Sequence, residues 1–221
     1  MFENIRPMDI EKRSFEIITE LLGDTVLEPE NELVIKRVIH TTADFDYVKN
    51  LTFSPHAVSR GIQALRSGCD IVTDTQMAKA GINKTILARL GGQVHCFMAD
   101  EDVAKEAKER GVTRAIVSME HAARLGKPCI FAIGNAPTAL ISIHELIEKG
   151  QLTPALVIGV PVGFVNVVES KERLFEVCTA HGVPAIVAMG RKGGSNVAAA
   201  ICNALVYSAA GMLDPTDRGW K

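Results

Sequence analysis

Short apolar runs alternate with amphipathic stretches along most of this chain, and the alternation predicts its fold. Each run has the length and composition of a strand buried on both faces, as in a parallel sheet. The runs cover residues 70–73, 94–98, 128–133, 155–160 and 184–189. Segments with helical spacing lie between them at 102–110, 136–149 and 167–181, followed by Gly111, Gly150 and Gly182 as stops. This order predicts an α/β fold with a mainly parallel sheet and right-handed crossovers.

The first 68 residues instead have the apolar spacing of helices. A first helix is predicted over Asp9–Leu22, and a second from Pro29 to about Thr41. The predicted inward stripe of the first helix consists of Ile10, Ser14, Ile17, Ile18 and Leu21. One side of the second helix is shared by Leu33, Val34, Arg37 and His40.

No linker, charge block or repeat divides the chain. Residues 1–221 are therefore predicted to form one domain, since roughly 100–200 residues per domain is usual. Within it we distinguish a mainly helical N-terminal part (1–68), an α/β core (69–211) and a polar tail (212–221).

The composition excludes several classes of protein. The chain has 47% hydrophobic and 23% charged residues, as globular proteins do. A chain of this length buries enough apolar surface to fold without disulfide bonds or a structural metal. A net charge of −2 and 5% aromatic residues argue against a nucleic-acid partner. No apolar run reaches the roughly 18–20 residues of a membrane helix, and residues 1–13 lack the apolar region of a signal peptide. The five cysteines lie far apart without zinc spacing, so we expect reduced thiols, no bound metal and a cytoplasmic location.

Three loops after predicted strands are rich in glycine, proline and small polar residues. They are Gly134–Thr138, Pro161–Phe164 and Gly190–Asn196, and each leads into a predicted helix. Free backbone N–H groups at helix starts favour an anion. Three such loops at the carboxyl edge of one sheet predict a ligand with several negative groups, although each loop alone is better explained as a tight turn.

Three polar residues of the N-terminal helices are candidates for the chemistry. Arg37 is always charged, so beside an apolar stripe it needs an anion or a wet cleft, unless it is a snorkelling or salt-bridged structural residue. His40 can give and take a proton near neutral pH, whereas a lone histidine is more often structural. Ser14 interrupts the apolar stripe of the first helix. Its simpler interpretation is structural, because a serine hydroxyl can donate a hydrogen bond to the backbone carbonyl four residues earlier in the same helix.

Several cationic residues have positions that suit a polyanion, although each alone has the simpler interpretation of a solvated charge. They are Arg60, Lys84, Arg114, Arg191 and Lys192. Arg191 and Lys192 have the best positions, inside a glycine-rich turn before a helix. The glycines of this turn fit neither the dinucleotide-binding nor the P-loop spacing, which disfavours both kinds of site.

Seven stretches of the chain, in family order, resemble the precorrin-8X methylmutase family of cobalamin biosynthesis, also called cobalt-precorrin-8 methylmutase. They are 13–15 (RSF), 37–40 (RVIH), 53–55 (FSP), 132–140 (AIGNAPTAL), 159–165 (GVPVGFV), 169–171 (ESK) and 190–195 (GRKGGS). The segments GNAPTAL and PVGFV are the most specific, and the stretches together span nearly the whole chain.

The resemblance implies a flavodoxin-like three-layer α/β/α fold with a helical N-terminal extension, working as a homodimer. It implies an isomerase without a cofactor that moves a methyl group within ring C of precorrin-8X or cobalt-precorrin-8. The methyl group leaves the α carbon for the adjacent β carbon, which gives hydrogenobyrinate or cobyrinate. The acid/base histidine of the family corresponds to His40, its substrate-contacting serine and arginine to Ser14 and Arg37, and a further arginine to Arg114.

The expected ligand is thus a tetrapyrrole with several carboxylates, and product hand-over to the next pathway enzyme is a further expectation. With His40 as proton donor or acceptor, the predicted substrate-binding residues are Ser14, Arg37, Arg114, Asn135, Gly163, Arg191, Gly193, Gly194 and Ser195. Two other functions stay open: a tetrapyrrole carrier without catalysis, and a nucleotide- or flavin-binding enzyme of flavodoxin-like fold.

Overall fold

A computed structural model describes residues 5–218, in which helices surround one six-stranded sheet. The strands are β1 (Leu51–Phe53), β2 (Asp70–Thr73), β3 (Val94–His95), β4 (Cys129–Ile133), β5 (Leu156–Gly159) and β6 (Ala185–Ala188). Their order across the sheet is β1-β6-β5-β4-β2-β3. Strand β1 is antiparallel to β6 and every other neighbouring pair is parallel, so the predicted α/β class with a mainly parallel sheet is confirmed.

The helices are α1 (Ile10–Leu22), α2 (Glu32–Thr42), α3 (Tyr47–Asn50), α4 (Ala57–Arg66), α5 (Gln76–Gly81), α6 (Lys84–Arg89), α7 (Glu101–Arg110), α8 (Arg114–Ala123), α9 (Pro137–Glu148), α10 (Val167–Ala180) and α11 (Ser195–Ala210). Short 3-10 helices cover Pro7–Asp9 and Pro215–Arg218. Within residues 5–218, no helix is long and apolar enough to cross a membrane. The first four residues of the predicted N-terminal part and the last three of the predicted tail lie outside the described residues.

All five apolar runs contain a strand, but one strand was not predicted. The run 94–98 is strand only at Val94 and His95, because β3 pairs with β2 alone at the edge of the sheet. Strand β1 lies inside the part of the chain predicted to be mainly helical. Its three residues are too few to show a period, and they are ordered by pairing with β6, far away in sequence.

Apolar side chains pack against both faces of the sheet. Ile71, Ile130 and Ile158 share one cluster with α2, α4 and α11. Val72, Phe131 and Val157 belong to a second cluster with α8, α9 and α10. Because neighbouring residues of a strand point to opposite faces, the wholly apolar runs indicate burial on both sides, as predicted.

The inward stripe predicted for α1 is wrong in most of its members. Ile18 is buried, whereas Ile10, Ile17 and Leu21 are 56%, 37% and 67% exposed. Helix α1 lies at the periphery, where it contacts mainly α2 and the 3-10 helix Pro7–Asp9. Its apolar residues exceed what this narrow contact can cover, so one row of them faces outward.

Candidate active site

The side chains of Ser14 on α1 and His40 in the last turn of α2 are in contact. The Ser14 hydroxyl oxygen lies 2.8 Å from His40 Nδ1. The Phe15 ring stacks on the imidazole, with ring centroids 5.4 Å apart and planes at 25°. Two predicted site residues 26 positions apart are thus brought together by the packing of two helices.

The environment of His40 favours the neutral imidazole. Burial lowers the pKa of His40 below its usual value, Glu11 acts to raise it, and Arg37 acts to lower it further. A neutral imidazole has one nitrogen that donates a hydrogen bond and one that accepts. Since Ser14 occupies Nδ1, Nε2 is the nitrogen left to meet a ligand. A partly exposed imidazole held in this way can exchange a proton with a bound molecule.

Arg37 is buried, and the anion with which it pairs is a side chain of the protein. Its Nη2 donates to Glu11 Oε1 at 2.7 Å. The guanidinium carbon lies 5.1 Å from the ring centroids of both Phe15 and Tyr207. Nε of Arg37 is buried and makes no hydrogen bond within residues 5–218. Arg37 therefore forms the ion pair of the structural alternative and also borders a cavity, so its role in binding a substrate stays a prediction.

A cavity of about 220 Å³ connects His40 with the first turns of α11. It is lined by Arg37, His40, Thr41, Gly81, Asn196, Ala199, Ala200 and Asn203. Asn203 is fixed in the wall, since its Nδ2 donates to the Gly81 carbonyl and its Oδ1 accepts from the Asn83 amide, both at 2.8 Å. Asn196 and Asn203 were not identified from the sequence. Their spacing of seven residues in an apolar helix, which places both on one face, was the available signal.

A buried carboxylate occupies the first of the three predicted anion-binding loops. The backbone N–H groups of Gly134, Asn135 and Ala136 donate to the Asp74 carboxylate at 2.9, 2.8 and 2.6 Å. Burial raises the pKa of Asp74, and these three donors oppose the rise. The expectation that this loop offers its N–H groups to a ligand is therefore wrong, because the anion they bind belongs to the protein. The Asn135 side chain remains exposed at the carboxyl edge of the sheet.

The other two glycine-rich loops lie against each other at the same edge. The Gly163 amide donates to the Arg191 carbonyl at 3.2 Å, and the Gly194 amide to the Val160 carbonyl at 2.9 Å. A Cβ atom on Gly193 would lie 2.1 Å from the Val160 oxygen, so close packing alone requires glycine there. Ser195 begins α11, with its hydroxyl 2.8 Å from that of Thr75. The N-cap of this helix is Gly194, and no capping side-chain hydrogen bond is found there among residues 5–218.

A buried lysine shapes the loop that follows β6. The Lys171 side chain is fully buried, and its Nζ donates to the carbonyls of Gly190 and Lys192 at 2.7 and 2.9 Å. Burial lowers the pKa of Lys171 to about 8. Lys171 was not among the predicted site residues, although it lies in the recognised ESK stretch.

The cationic candidates have different surroundings. Lys192 Nζ lies 2.6 Å from carboxylate oxygens of both Asp44 and Asp46, so its charge is already paired. Arg60 donates to the Gly182 carbonyl and Lys84 to the Ala80 carbonyl. Arg191 is exposed in its loop. Arg114 is exposed at the start of α8, with Nη1 3.5 Å from the Met98 carbonyl oxygen.

The predicted residues form two groups that meet at the beginning of α11. Ser14, Arg37 and His40 form the first, and the loops around Gly163 and Arg191 form the second. Ser195 belongs to the second group, and the next residue, Asn196, lines the cavity that contains His40. Arg114 lies further along the edge, where the neighbouring Thr113 hydroxyl donates to that of Thr138 at 2.9 Å. A larger groove of about 390 Å³ between α8 and α9 contains none of the predicted site residues.

These features define an α/β protein whose candidate site combines a hydrogen-bonded histidine with loops at the carboxyl edge of a mainly parallel sheet. Residues 9–208 match the family model described as precorrin-8X methylmutase, and the chain belongs to this family.

Relatives and solved structures agree with this assignment. The chain is 46% identical to the cobalt-precorrin-8 methylmutase of Priestia megaterium, over 91% of this chain and 88% of the relative. It is 38% identical to the precorrin-8X methylmutase of Pseudomonas aeruginosa, over 89% and 93%. The crystal structure of precorrin-8x methyl mutase from Thermus thermophilus superimposes with a TM-score of 0.83 at 38% identity, covering 92% of this chain and 98% of that one.

Proposed function

We propose that this protein is an isomerase that moves a methyl group within ring C of precorrin-8X or cobalt-precorrin-8, giving hydrogenobyrinate or cobyrinate. The observation that carries the proposal is the Ser14–His40 contact beside buried Arg37, at a cavity that reaches the start of α11. Family membership supplies the reaction class, and this arrangement supplies an acid/base group with a fixed orientation.

His40 acts as proton donor or acceptor through Nε2. A proton held at a ring C nitrogen or a neighbouring position changes the conjugation of the macrocycle and weakens the bond to the migrating methyl group. The proton returns to the imidazole once the methyl group has reached the adjacent carbon, so the reaction has no net proton change. General acid/base catalysis of this kind contributes about 100- to 10,000-fold, and holding the macrocycle in one geometry contributes further.

The substrate carboxylates bind along the carboxyl edge of the sheet. The start of α11, formed by Gly193, Gly194 and Ser195, offers backbone N–H groups to an anion. Arg191 and Arg114 are exposed and supply charge-assisted hydrogen bonds. Gly163 and Asn135 also lie at this edge and bind the substrate. Asn135 does so through its side chain, because its backbone N–H already donates to Asp74. Exposed Val162 and Phe164 offer apolar cover for the ring.

The five parallel strands support a flavodoxin-like arrangement. Numbered from β2 in chain order, they follow the order 2-1-3-4-5, and apolar clusters on both faces fit a three-layer α/β/α fold. The helices α1 to α4 form the N-terminal extension. The five described cysteines are all reduced and buried, which supports a cytoplasmic location.

The protein forms a homodimer through α1. Ile10, Ile17 and Leu21 lie on one side of this helix, and all three are exposed. An exposed apolar row of this kind is typical of a protein–protein interface. The product then passes from the dimer to the next enzyme of the pathway.

Titration with hydrogenobyrinic acid, followed by visible absorption, tests the proposal. Saturable binding with a spectral shift, altered in His40→Ala, is expected because the imidazole lies against the ring. The substrate is then supplied with and without cobalt. Binding without turnover by the wild type would indicate a tetrapyrrole carrier. Absence of binding would favour the alternative of a nucleotide- or flavin-binding enzyme.

A further inference from the structure

The C-terminal 3-10 helix brings Arg218 back onto α1 and α11. The Arg218 side chain is only 2% exposed. Its Nη2 donates to Glu11 Oε1 at 2.7 Å and its Nη1 to Glu11 Oε2 at 3.1 Å. The guanidinium lies over the Tyr207 ring, 4.3 Å from the centroid. The tail, predicted to be merely polar, therefore contributes a bidentate ion pair through Arg218.

Glu11 is shared between two arginines. The oxygen Oε1 that accepts from Arg218 also accepts from Arg37 Nη2 at 2.7 Å. Both guanidinium groups contact the Tyr207 ring. Burial acts to raise the pKa of Glu11, but the hydrogen bonds from Arg218 and Arg37 prevail and hold it below its usual value. The Glu11 carboxylate is thus charged, and hydrogen bonds from Arg37 and Arg218 fix its position.

This network reaches the candidate active site through Arg37. Arg37 lines the same cavity as His40, and the ring of Phe15 on α1 contacts both residues. Arg218 does not line that cavity. It also lies beyond residue 208, where the match to the family model ends, so the family pattern alone does not point to it.

We propose that Arg218 is a positioning residue for the active site, which acts through Glu11 to fix Arg37 and the electric field at His40. The inference rests on the proposed function only for its catalytic consequence. The arrangement of charges and its effect on His40 are properties of the protein without ligand.

The charged groups that face His40 determine the direction of the effect. Glu11 faces it from α1 and Arg37 from its own helix, while the α5 and α11 residues of the cavity wall are uncharged. Removal of Arg218 leaves Glu11 with one cation and frees one side of its carboxylate. The negative potential at His40 then increases, which stabilises the imidazolium. Removal of the Glu11 charge has the opposite effect.

NMR titration of the His40 imidazole in the ligand-free protein tests this, with His40→Gln used to assign the resonance. Arg218→Gln is expected to raise the pKa of His40 by a few tenths of a pH unit, and Glu11→Gln to lower it. In the Glu11→Gln background, Arg218→Gln is expected to add no shift, because Arg218 acts only through Glu11. Arg218→Lys, which keeps the charge without the bidentate fork, is expected to give a smaller shift than Arg218→Gln.

Arg6→Gln is the matched control, since it removes the same charge from an exposed pair with Asp9 on the N-terminal side of α1. An unchanged His40 pKa in Arg218→Gln, or an equal shift in the Glu11→Gln background, would overturn the inference. With an active wild type, Arg218→Gln should also move the limb of the kcat/KM profile that follows the His40 titration, in step with the NMR value. Since the titration needs no substrate, an inactive wild type would count against the proposed function and leave the positioning result standing.

Discussion

The Ser14 hydroxyl lies 2.8 Å from His40 Nδ1 and so determines which imidazole nitrogen can face a ligand. This choice of nitrogen depends on both side chains. The serine holds Nδ1 and thereby leaves Nε2 for a ligand, while His40 lines the cavity beside α11.

Replacement of His40 by alanine should lower kcat by about 100- to 10,000-fold with a much smaller change in product affinity. Ser14→Ala keeps the imidazole but leaves its orientation free, so an intermediate loss of kcat is expected. Single-turnover kinetics and the product titration separate the two quantities. Full turnover by a folded His40→Ala protein would remove His40 from the mechanism.

Arg37→Ala should raise KM or lower kcat by an amount equivalent to about 1.5–3 kcal/mol, the value of a lost charge-assisted hydrogen bond. Because Arg37 is buried against Glu11, the variant should also unfold at lower denaturant concentration. Steady-state kinetics and urea unfolding measure the two effects. A loss of stability with normal kinetics would assign Arg37 a purely structural role.

Asp74→Ala should destabilise the protein by about 3 kcal/mol or more, since three buried N–H donors lose their acceptor. Hydrogen exchange should increase at residues 134–136 in particular. Asp100→Ala, at a helix start where the aspartate makes no capping bond, is the control and should be nearly neutral. Equal stability of the two variants would contradict the structural role of Asp74.

Lys171 makes the stability depend on pH in the alkaline range. Its pKa is about 8 in the folded protein against 10.5 in the unfolded chain, so between these values the unfolded state binds more protons. Stability from this group therefore increases from pH 8 to about 10.5, by at most about 3 kcal/mol, and is lost as the pH falls through 8. The difference in unfolding free energy between wild type and Lys171→Met, measured across this range, should show the slope. A constant difference would refute it.

Leu21→Glu should convert the proposed dimer to a monomer, because a charge would be buried in the apolar row of α1. Sedimentation velocity over a range of concentrations measures this. Lys12→Glu places the same charge at another exposed position of α1 and should leave the assembly unchanged. A monomeric wild type would remove α1 as an interface.

The sequence predicted most of the sheet because five of its six strands lie in apolar runs that carry their own signal. Wholly apolar runs such as Cys129–Ile133 can be recognised without knowledge of their neighbours. Strand β1 and the outward face of α1 were missed, since both depend on what lies opposite in the folded chain. Residues 51–53 are a strand only through β6, and Ile17 is exposed only because α1 is peripheral.

The sequence indicated which kinds of residue form the candidate site, but not which partners those residues contact. The loop at 134–136 was predicted to bind a ligand anion, but its sequence cannot tell a ligand carboxylate from Asp74, sixty residues earlier. The same holds for Arg37, whose need for a negative partner was evident while the identity of Glu11 was not. Arg218 gave no signal at all, because a cation in a polar tail is ordinarily solvated.

The antiparallel pairing of β1 with β6 also has a consequence for the order of assembly. Leu51 pairs with Ala188, a contact between residues made early and late in synthesis. During translation the edge that β1 occupies does not exist until most of the chain has left the ribosome. Contacts of such long sequence separation form late, so we expect the helices that carry Ser14 and His40 to dock last, and the contact between these two side chains to form only in a finished protein.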